Sequence, residues 1–258
     1  MALFNDGSLS TIADLMNYET SILDTAGTEG IDTSTKLRLA QEEIGEKLLT
    51  FLMETEYNGW ALRSRERRHL KTGLSDVVVT RQLRRWHTFR TLAMVYRDAY
   101  NNQLNDRYQG KWQNYERLQG EAEQSYLRSG VGLVLNPAPK PAPPTLSTTN
   151  GPTIAGTYCF AYSWIAMDGT EGACSDATTI ALAANTQAIV SCGAAPHDIS
   201  GWNVYAGTTA DALSMQNGNP LALTDHWAQS SPLVTGNPPR NGQAPNYWVV
   251  DDHRLRRG

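Results

Sequence analysis

The chain has 258 residues, of which 40% are hydrophobic and 19% are charged, with a formal net charge of −4. This length predicts about two domains, each long enough to bury a core, and the negative charge argues against a polycation that binds nucleic acid through its total charge. The first residues lack the basic and apolar regions of a signal peptide, and no apolar run approaches the roughly 18–20 residues of a membrane span, so we expect a soluble protein made in a reducing cytoplasm.

The first third of the chain shows the spacing of two amphipathic helices. Thr11, with Asp14 three residues later, predicts the capped start of a helix over residues 8–24. A second helix follows Asp32, with apolar residues recurring along one stripe. Its other face is acidic and carries Glu42, Glu43, Glu46, Glu54 and Glu56.

Two longer helices follow, each with an aromatic-rich stripe. The third spans residues 75–101, and the fourth begins after Asn105 and ends at Gly130, where a left-handed cap is expected. We therefore predict an all-α helical bundle over residues 1–132. The stripes predicted to be buried are Val79, Leu83, Trp86, Phe89, Ala93, Tyr96 and Tyr100 on the third helix, and Tyr108, Trp112, Tyr115, Leu118, Ala122 and Tyr126 on the fourth.

A proline-rich stretch, NPAPKPAPP at residues 136–144, follows the helices with five prolines in nine residues. Proline fixes φ and removes a backbone donor, so neither a helix nor a sheet ladder continues through it. As a polyproline II segment it would reach roughly 28 Å at about 3.1 Å per residue. We interpret residues 133–146 as a semi-rigid linker.

After the linker the hydrophobic period changes to two. Residues 156–167 alternate aromatic with small side chains, and either side of this strand could face inward. Asp168 and Gly169 supply a hairpin turn in which Glu171 also sits, and the Asp-Gly geometry explains Asp168 without a calcium site. Further short strands separated by turn residues predict a β-sandwich over residues 147–245.

Charge in the helical half is segregated. Three interpretations stay open: a solvated basic face paired partly with its own chain, a head-to-tail contact between the acidic face of one copy and the basic face of the next, or contact with phosphates of nucleic acid. In the second, Glu42, Glu43 and Glu46 would meet Arg81, Arg84 and Arg85. The basic residues between positions 63 and 90 are Arg63, Arg65, Arg67, Arg68, Lys71, Arg81, Arg84, Arg85 and Arg90, against Glu66 and Asp76.

No motif in the sequence indicates catalysis, a cofactor or a metal. Zinc-protease, nucleophile-elbow, phosphate-loop and dinucleotide-binding patterns are absent, and the histidines are scattered. Asp251, Asp252 and His253 are too close in the chain to converge readily on one ion. Three cysteines lack metal-ligand spacing; reduced thiols are the simplest account and one disulfide is the alternative. The sequence favours a protein that is not an enzyme.

Four segments of the second half carry a resemblance: GTYCFAYSWIAMDGTEGACS, QAIVSC, ISGWNVYAGTTADAL and PLALTDHW. Together they resemble the fibronectin-III and Ig-like modules of bacteriophage structural proteins, over about residues 145–240. The resemblance implies an Ig-like or fibronectin-III-like β-sandwich. Such modules serve as adhesive or spacer decorations on many proteins, so the fold alone does not imply one function.

The first half is similar to the head-to-tail adaptor proteins of tailed phages, through its helix order, its charged middle segment and the closing helix DRYQGKWQNYERLQGEAEQSYL. That resemblance implies a ring, dodecameric in the family, beneath the portal, and a C-terminal tail that grips the portal. The chain departs from smaller adaptors in carrying the β module between bundle and tail. The tail here is residues 246–258, and its candidate portal-binding residues are Tyr247, Trp248, Val249, Val250, Arg254, Arg256 and Arg257.

From the residues alone, this tail could add a strand to a partner's sheet or form the last strand of the sandwich with a frayed basic end.

We expect a multidomain structural protein of the virion neck, made in the bacterial cytoplasm. Its partners would be copies of itself, the portal, a tail or head-closure (nozzle) protein, and double-stranded DNA passing without sequence specificity; no membrane or cofactor is expected. The alternatives are a host-surface or glycan-binding adhesive module, which exposed Trp202, Tyr205 and Trp227 would favour, and a nucleic-acid-binding protein that uses residues 63–90.

Overall fold

The computed structural model describes residues 1–60, 73–103 and 106–250, with the backbone alone for residues 56–60 and 103. Helices occupy the N-terminal half and antiparallel sheets the C-terminal half, which confirms the predicted combination of α and β structure. Several residues that the sequence singles out lie outside this described part: Arg63, Arg65, Glu66, Arg67, Arg68, Lys71, Asp251, Asp252, His253, Arg254, Arg256 and Arg257.

Two compact units share the chain, and each is formed from two stretches of it. The helical unit consists of Gly7–Leu133 and Pro245–Gly258, and the β unit consists of Met1–Asp6 and Val134–Ala244. The β unit is therefore inserted between two segments of the helical unit. This differs from the predicted order of bundle, linker, sandwich and tail, because the first six residues join the β unit and the chain after residue 244 returns to the helical unit.

The helical unit contains five α-helices and, between the third and fourth, a short 3₁₀ turn at Leu74–Asp76 within the described residues. The predicted capping box of Thr11 and Asp14 is present, and Gly130 has a φ of +95° as its predicted cap position requires. The single helix predicted for residues 8–24 is instead two short helices. The helices are α1 (Ile12–Met16), α2 (Ile22–Thr28), α3 (Thr33–Trp60), α4 (Arg81–Gln103) and α5 (Asp106–Ser129).

The break between α1 and α2 coincides with a tertiary contact. Glu19 lies in the turn between them, and its carboxylate accepts hydrogen bonds from Lys111 and Tyr115 of α5 at 2.6 and 3.2 Å and from the neighbouring Ser21 at 2.8 Å. These bonds to a distant helix outweigh a weak local preference to continue the helix. Periodicity alone contains no information about them.

Helix α4 is the centre of the helical unit and packs against α1, α2, α3 and α5. Residues 86–96 are all buried except Arg90, which is half-buried, so α4 is surrounded rather than amphipathic along this stretch. Its buried hydroxyls are satisfied within the helix: Thr88 donates to the carbonyl of Arg84 and Thr91 to that of His87, both at 2.9 Å. A polar-looking sequence can therefore occupy a core position.

The β unit consists of two antiparallel sheets that share one hydrophobic cluster. One sheet has the order β2-β6-β9; in the other, β3 pairs with β4, β5 and β7, and β7 pairs with β8. The aromatic side of β3, with Tyr162 and Trp164, faces this cluster, which decides the orientation that the sequence left open. The strands are β1 (Val131–Leu133), β2 (Thr145–Asn150), β3 (Gly156–Ala166), β4 (Glu171–Cys174), β5 (Thr178–Leu182), β6 (Thr186–Ser191), β7 (Ile199–Gly207), β8 (Ser214–Met215), β9 (His226–Ala228) and β10 (Tyr247–Val249).

The proline stretch at residues 136–144 packs within the β unit and is not a free spacer, contrary to the expectation from its composition. Ala138 is fully buried in the shared cluster. The residues between the prolines keep their backbone donors, and they use them: Ala138 N–H donates to Gln243 Oε1 and Lys140 N–H to Asp6 Oδ1, both at 2.7 Å. Side-chain acceptors thus replace the ladder that proline prevents.

The aromatics whose exposure would have favoured glycan binding are buried. Trp202 and Tyr205 are fully enclosed and Trp227 is 9% exposed. Trp202 lies in the cluster between the sheets and donates its indole N–H to the carbonyl of Ala222 at 3.0 Å. Trp202 and Tyr205 are both enclosed because β7 is buried on both faces of its sheet.

Two tyrosines of α5 allow a matched test of the helical core. The hydroxyl of Tyr126 is buried and has no hydrogen-bond partner among the described residues, whereas that of Tyr115 donates to Glu19. We expect Tyr115→Phe to lower the free energy of unfolding by about 1 kcal/mol and Tyr126→Phe to leave it unchanged or raise it, because only the first loses a bond. Urea unfolding measures both; an equal loss in both variants would contradict the assignment.

Candidate interaction surface

His87 is a buried polar node at the centre of the helical unit. The carbonyl of Leu37 in α3 can only accept, so His87 donates to it from Nε2 at 2.9 Å, and Nδ1 accepts from the hydroxyl of Ser10 at 2.6 Å. Burial lowers the pKa of His87 to about 4. The imidazole is therefore neutral near pH 7 and joins α4 to α3 and to the segment before α1.

Arg90, a half-buried residue of α4, is paired within its own chain. Its guanidinium lies 2.5 Å from a carboxylate oxygen of Glu43 and 3.6 Å from one of Glu116. Glu43 was predicted to contact a neighbouring subunit; the structure gives its carboxylate an intrachain partner instead. Part of the segregated charge is thus paired inside the helical unit, which agrees with the interpretation of a basic face paired partly with its own chain.

Three arginines at the start of α4 differ from Arg90 in having no described carboxylate partner. Arg81, Arg84 and Arg85 are exposed, and among the described residues none has a carboxylate partner. The guanidinium of Arg85 lies 5.3 Å from the centre of the Phe89 ring, a cation–π contact. Cations at a helix N-terminus are disfavoured by the helix dipole, and the described residues provide no carboxylate to offset this cost.

The acidic face of α3 is also partly unsatisfied. Glu42 forms an exposed pair with Arg38 at 2.5 Å, a geometry that contributes little to stability. Glu46 is exposed, and its carboxylate has no partner among the residues that the structure describes. Met53, two helical turns further along the same face, is 65% exposed.

Apolar side chains lie exposed on α1 and α2, which the sequence analysis did not anticipate. The exposed fraction is more than a third for each of four residues there: Ile12, Met16, Tyr18 and Leu23. The Tyr18 ring meets the Phe89 ring edge-on at 4.8 Å, and the same Phe89 ring is contacted by the guanidinium of Arg85. The helical spacing did not distinguish these exposed side chains from Leu15 and Ile22, which are buried.

The C-terminal strand β10 pairs with β1 in the helical unit, so it is not the last strand of the sandwich, which was one of the two alternatives for the tail. Gly132 faces Trp248 in this antiparallel pair, and the Gly132 carbonyl accepts from the N–H of Val78 on its other side at 2.9 Å. In an antiparallel ladder the backbone groups of Trp248 therefore point away from β1, toward an outer edge. Trp248 is 49% exposed, and the adjacent Val250 is also exposed.

The aromatic row of α5 is interior packing, as predicted. Tyr115 stacks on Tyr96 and Trp112 on Tyr100, each pair with ring centres 5.6 Å apart. These contacts join α5 to α4. Large flat rings serve here to bury area between neighbouring helices.

A buried carboxylate in the β unit also escaped the sequence analysis. Glu171 begins β4, and its Oε1 accepts hydrogen bonds from Ser163 and Tyr205 at 2.5 Å and from Asn203 at 3.2 Å; Arg240 lies 3.5 Å from Oε2. Burial and this carboxylate raise the pKa of Tyr205. Glu171 therefore ties three strands together, rather than belonging to the turn. The turn interpretation holds for Asp168, which accepts from the N–H and hydroxyl of Thr170.

The chain matches no known protein-family model, no curated protein and no solved structure. Within the described residues, no three acidic, histidine or cysteine side chains are grouped to hold a metal ion, and the three cysteines are free thiols. No helix in this part of the chain is both long and apolar enough to cross a bilayer. The surfaces of the helical unit are therefore the features that a functional proposal must explain.

The burial of His87 predicts a pH-dependent stability. Its pKa is about 4 in the fold and near 6.5 when unfolded, so between these values only the unfolded chain binds the proton. Stability is therefore lost as the pH falls from about 6.5 to about 4, by about 3 kcal/mol in total, and this contribution is constant outside that interval. Thermal unfolding across this pH range measures the slope.

The comparison variants are His87→Gln, whose amide can donate to Leu37 and accept from Ser10, and His197→Gln, at an exposed position. The two variants have the same carboxylates. We expect the part of the pH dependence of stability that is due to His87, between pH 6.5 and 4, to be lost in His87→Gln and kept in His197→Gln. Equal slopes in the two variants would show that His87 is not the titrating group.

The close packing around Gly132 predicts that one added methyl group breaks the pairing of β10 with β1. A Cβ at this position would lie 2.8 Å from Pro245 and 3.1 Å from the Trp248 ring. We expect Gly132→Ala to raise amide exchange of Tyr247 and Val249 about tenfold or more, because their pairing with β1 is lost. Gly120→Ala is the control, since its Cβ meets nothing and α5 should become slightly more stable. Unchanged exchange in Gly132→Ala would refute the tight approach.

Proposed function

We propose that the chain is a structural virion protein of a tailed phage, a head-to-tail adaptor that forms a ring between portal and tail. The helical unit makes the ring, and the inserted β unit is carried on it as an Ig-like or fibronectin-III-like module. The protein binds and holds, and it catalyses nothing. Its partners are further copies of itself, the portal, a tail or head-closure protein, and DNA that passes through the ring.

The position of the C-terminal strand is the observation that supports this proposal most. A β module between bundle and tail would separate them if the units followed each other along the chain. Instead β10 pairs with β1, so the described start of the tail belongs to the helical unit. The tail thus starts from the same unit as in an adaptor that has no β module, and an insertion at this place leaves portal binding possible.

The open edge of β10 supports a role in binding the portal. Trp248 presents its backbone groups there and is 49% exposed, and Val250 follows with an exposed side chain. Edge strands with free donors and acceptors bind extended segments of partners by strand addition. We place Tyr247, Trp248, Val249 and Val250 in this contact. Arg254, Arg256 and Arg257, outside the described residues, would supply positive charge beyond it.

The β unit supports the decoration role by its architecture. Two antiparallel sheets enclose aromatic and aliphatic side chains, with β3 at the centre of the larger sheet, as in sandwiches of the Ig and fibronectin-III type. Its largest aromatics face inward, so the observation that would have favoured glycan binding is missing. The adhesive alternative therefore has no specific support from the described side chains.

Electron microscopy of the purified protein, alone and mixed with the portal of the same virus, tests the proposal. We expect closed rings that bind the portal, and Trp248→Ala to weaken portal binding roughly tenfold or more while rings still form, because a central aromatic anchor is lost. Met167→Ala, with a side chain 67% exposed in the β unit, is the control and should bind as the wild type does. Single particles at every concentration, with and without portal, or turnover of a small substrate, would refute the adaptor function.

A further inference from the structure

We propose that one copy of the chain binds the next by placing the outer face of α3, defined by Glu42, Glu46 and Met53, against a surface of its neighbour defined by Met16, Tyr18, Arg84 and Arg85. This inference rests on the proposed ring and names the surfaces that close it. Here the first is called the α3 face and the second the α1–α4 surface.

The α1–α4 surface combines exposed apolar and basic side chains, of which Tyr18 and Arg85 both contact the ring of Phe89. Tyr18 meets the Phe89 ring edge-on, and the guanidinium of Arg85 lies over the same ring. Met16 is exposed on α1, two residues before Tyr18, and Arg84 is exposed beside Arg85. An apolar area with charge at its rim is the usual composition of a protein interface.

The α3 face has the opposite charge and a similar composition. Positions 42, 46 and 53 fall on one line along a helix of 3.6 residues per turn, over about 16 Å. Among the large apolar side chains described in the helical unit, Met53 is the most exposed. Glu46 has no described partner, and Glu42 has only the exposed pair with Arg38.

Charge complementarity selects a second copy as the occupant. The carboxylates of Glu43 and Glu116 are used by Arg90 within the chain, while Arg84 and Arg85 have no described carboxylate. The α3 face offers the missing carboxylates, and Met53 offers an apolar contact for Met16 and Tyr18. The two surfaces are different, so the contact is heterologous and can close into a ring. Phosphates of DNA would neutralise the arginines but would leave the apolar side chains uncovered.

A charge-exchange experiment tests the contact. Arg84→Glu with Arg85→Glu leaves both surfaces acidic, and Glu42→Arg with Glu46→Arg leaves both basic. We expect each double variant alone to self-associate at least about tenfold more weakly than the wild type, because like charges face each other. An equimolar mixture should form rings again, with the two variants alternating. Sedimentation velocity and electron microscopy measure both, and circular dichroism checks that each variant is folded.

Two controls separate the contact from general effects. Arg117→Glu with Arg128→Glu makes the same change in net charge on exposed positions of α5 and should assemble as the wild type does. Met53→Ser should weaken assembly about tenfold, whereas Met167→Ser, at an equally exposed methionine of the β unit, should not.

The outcomes distinguish this inference from the adaptor function. If the wild type forms rings and the reversed variants do too, the proposed surfaces are wrong and the adaptor function stands. The same conclusion holds if reversing the arginines leaves rings intact but abolishes retention of double-stranded DNA, which would assign that surface to DNA. If the wild type forms no ring under any condition, including with the portal, the function and this inference both fail.

Discussion

The pairing of β10 with β1 constrains the whole chain. Because the strand before the β unit and the strand after it are partners, everything between them must leave the helical unit and return to it. Two glycines make this pairing possible: Gly132 allows the approach of Pro245 and the Trp248 ring, and Gly130 adopts a φ of +95° with Val250 where a Cβ would be. An insertion at such a point adds a unit without changing the core of its host.

Inside the helical unit, polar groups of α4 are largely satisfied by its own neighbours. His87 bonds Ser10 and Leu37, the threonines bond carbonyls one turn back, and Arg90 has two carboxylates. This completeness makes the exceptions informative. The arginines at the start of α4 and Glu46 on α3 are charged, exposed and without described partners, and they lie near apolar side chains that the core does not cover. Stability does not explain this combination, which is why we propose a contact with another copy of the chain there.

The sequence predicted what depends on local patterns and failed where distant residues decide. The capping box at Thr11, the cap at Gly130 and the buried aromatic row of α5 follow from spacing and turn chemistry, and all are present. The break near Glu19 and the burial of residues 136–144 depend on partners from remote segments, Lys111 in one case and Gln243 and Asp6 in the other. Composition correctly indicated that proline forms no ladder there, but it could not show that side chains would replace one.

The surfaces illustrate the same limit. Acidic and basic segments were visible in the sequence, but which charges are used internally was not, so Glu43 was grouped with Glu46 although Arg90 binds only the first. Likewise Ser163, Asn203 and Tyr205 alternate with the aromatics of their strands, yet nothing local showed that Glu171 would bring them together. Which charged side chains stay without a partner is decided by the packed structure. Such a charge carries functional information because the fold does not need it.

For the proposed ring, the weakness of a single contact between copies is an advantage. A surface of a few apolar side chains with exposed ion pairs gives a modest free energy of association, since exposed pairs are screened by water and salt. In a closed ring each copy is held on two sides, and loss of one contact leaves the other in place, so the assembly is far more stable than the pair. Separate copies can then remain folded and soluble until a template such as the portal brings them together, and the strand β10, already ordered on β1, requires little further ordering to bind it.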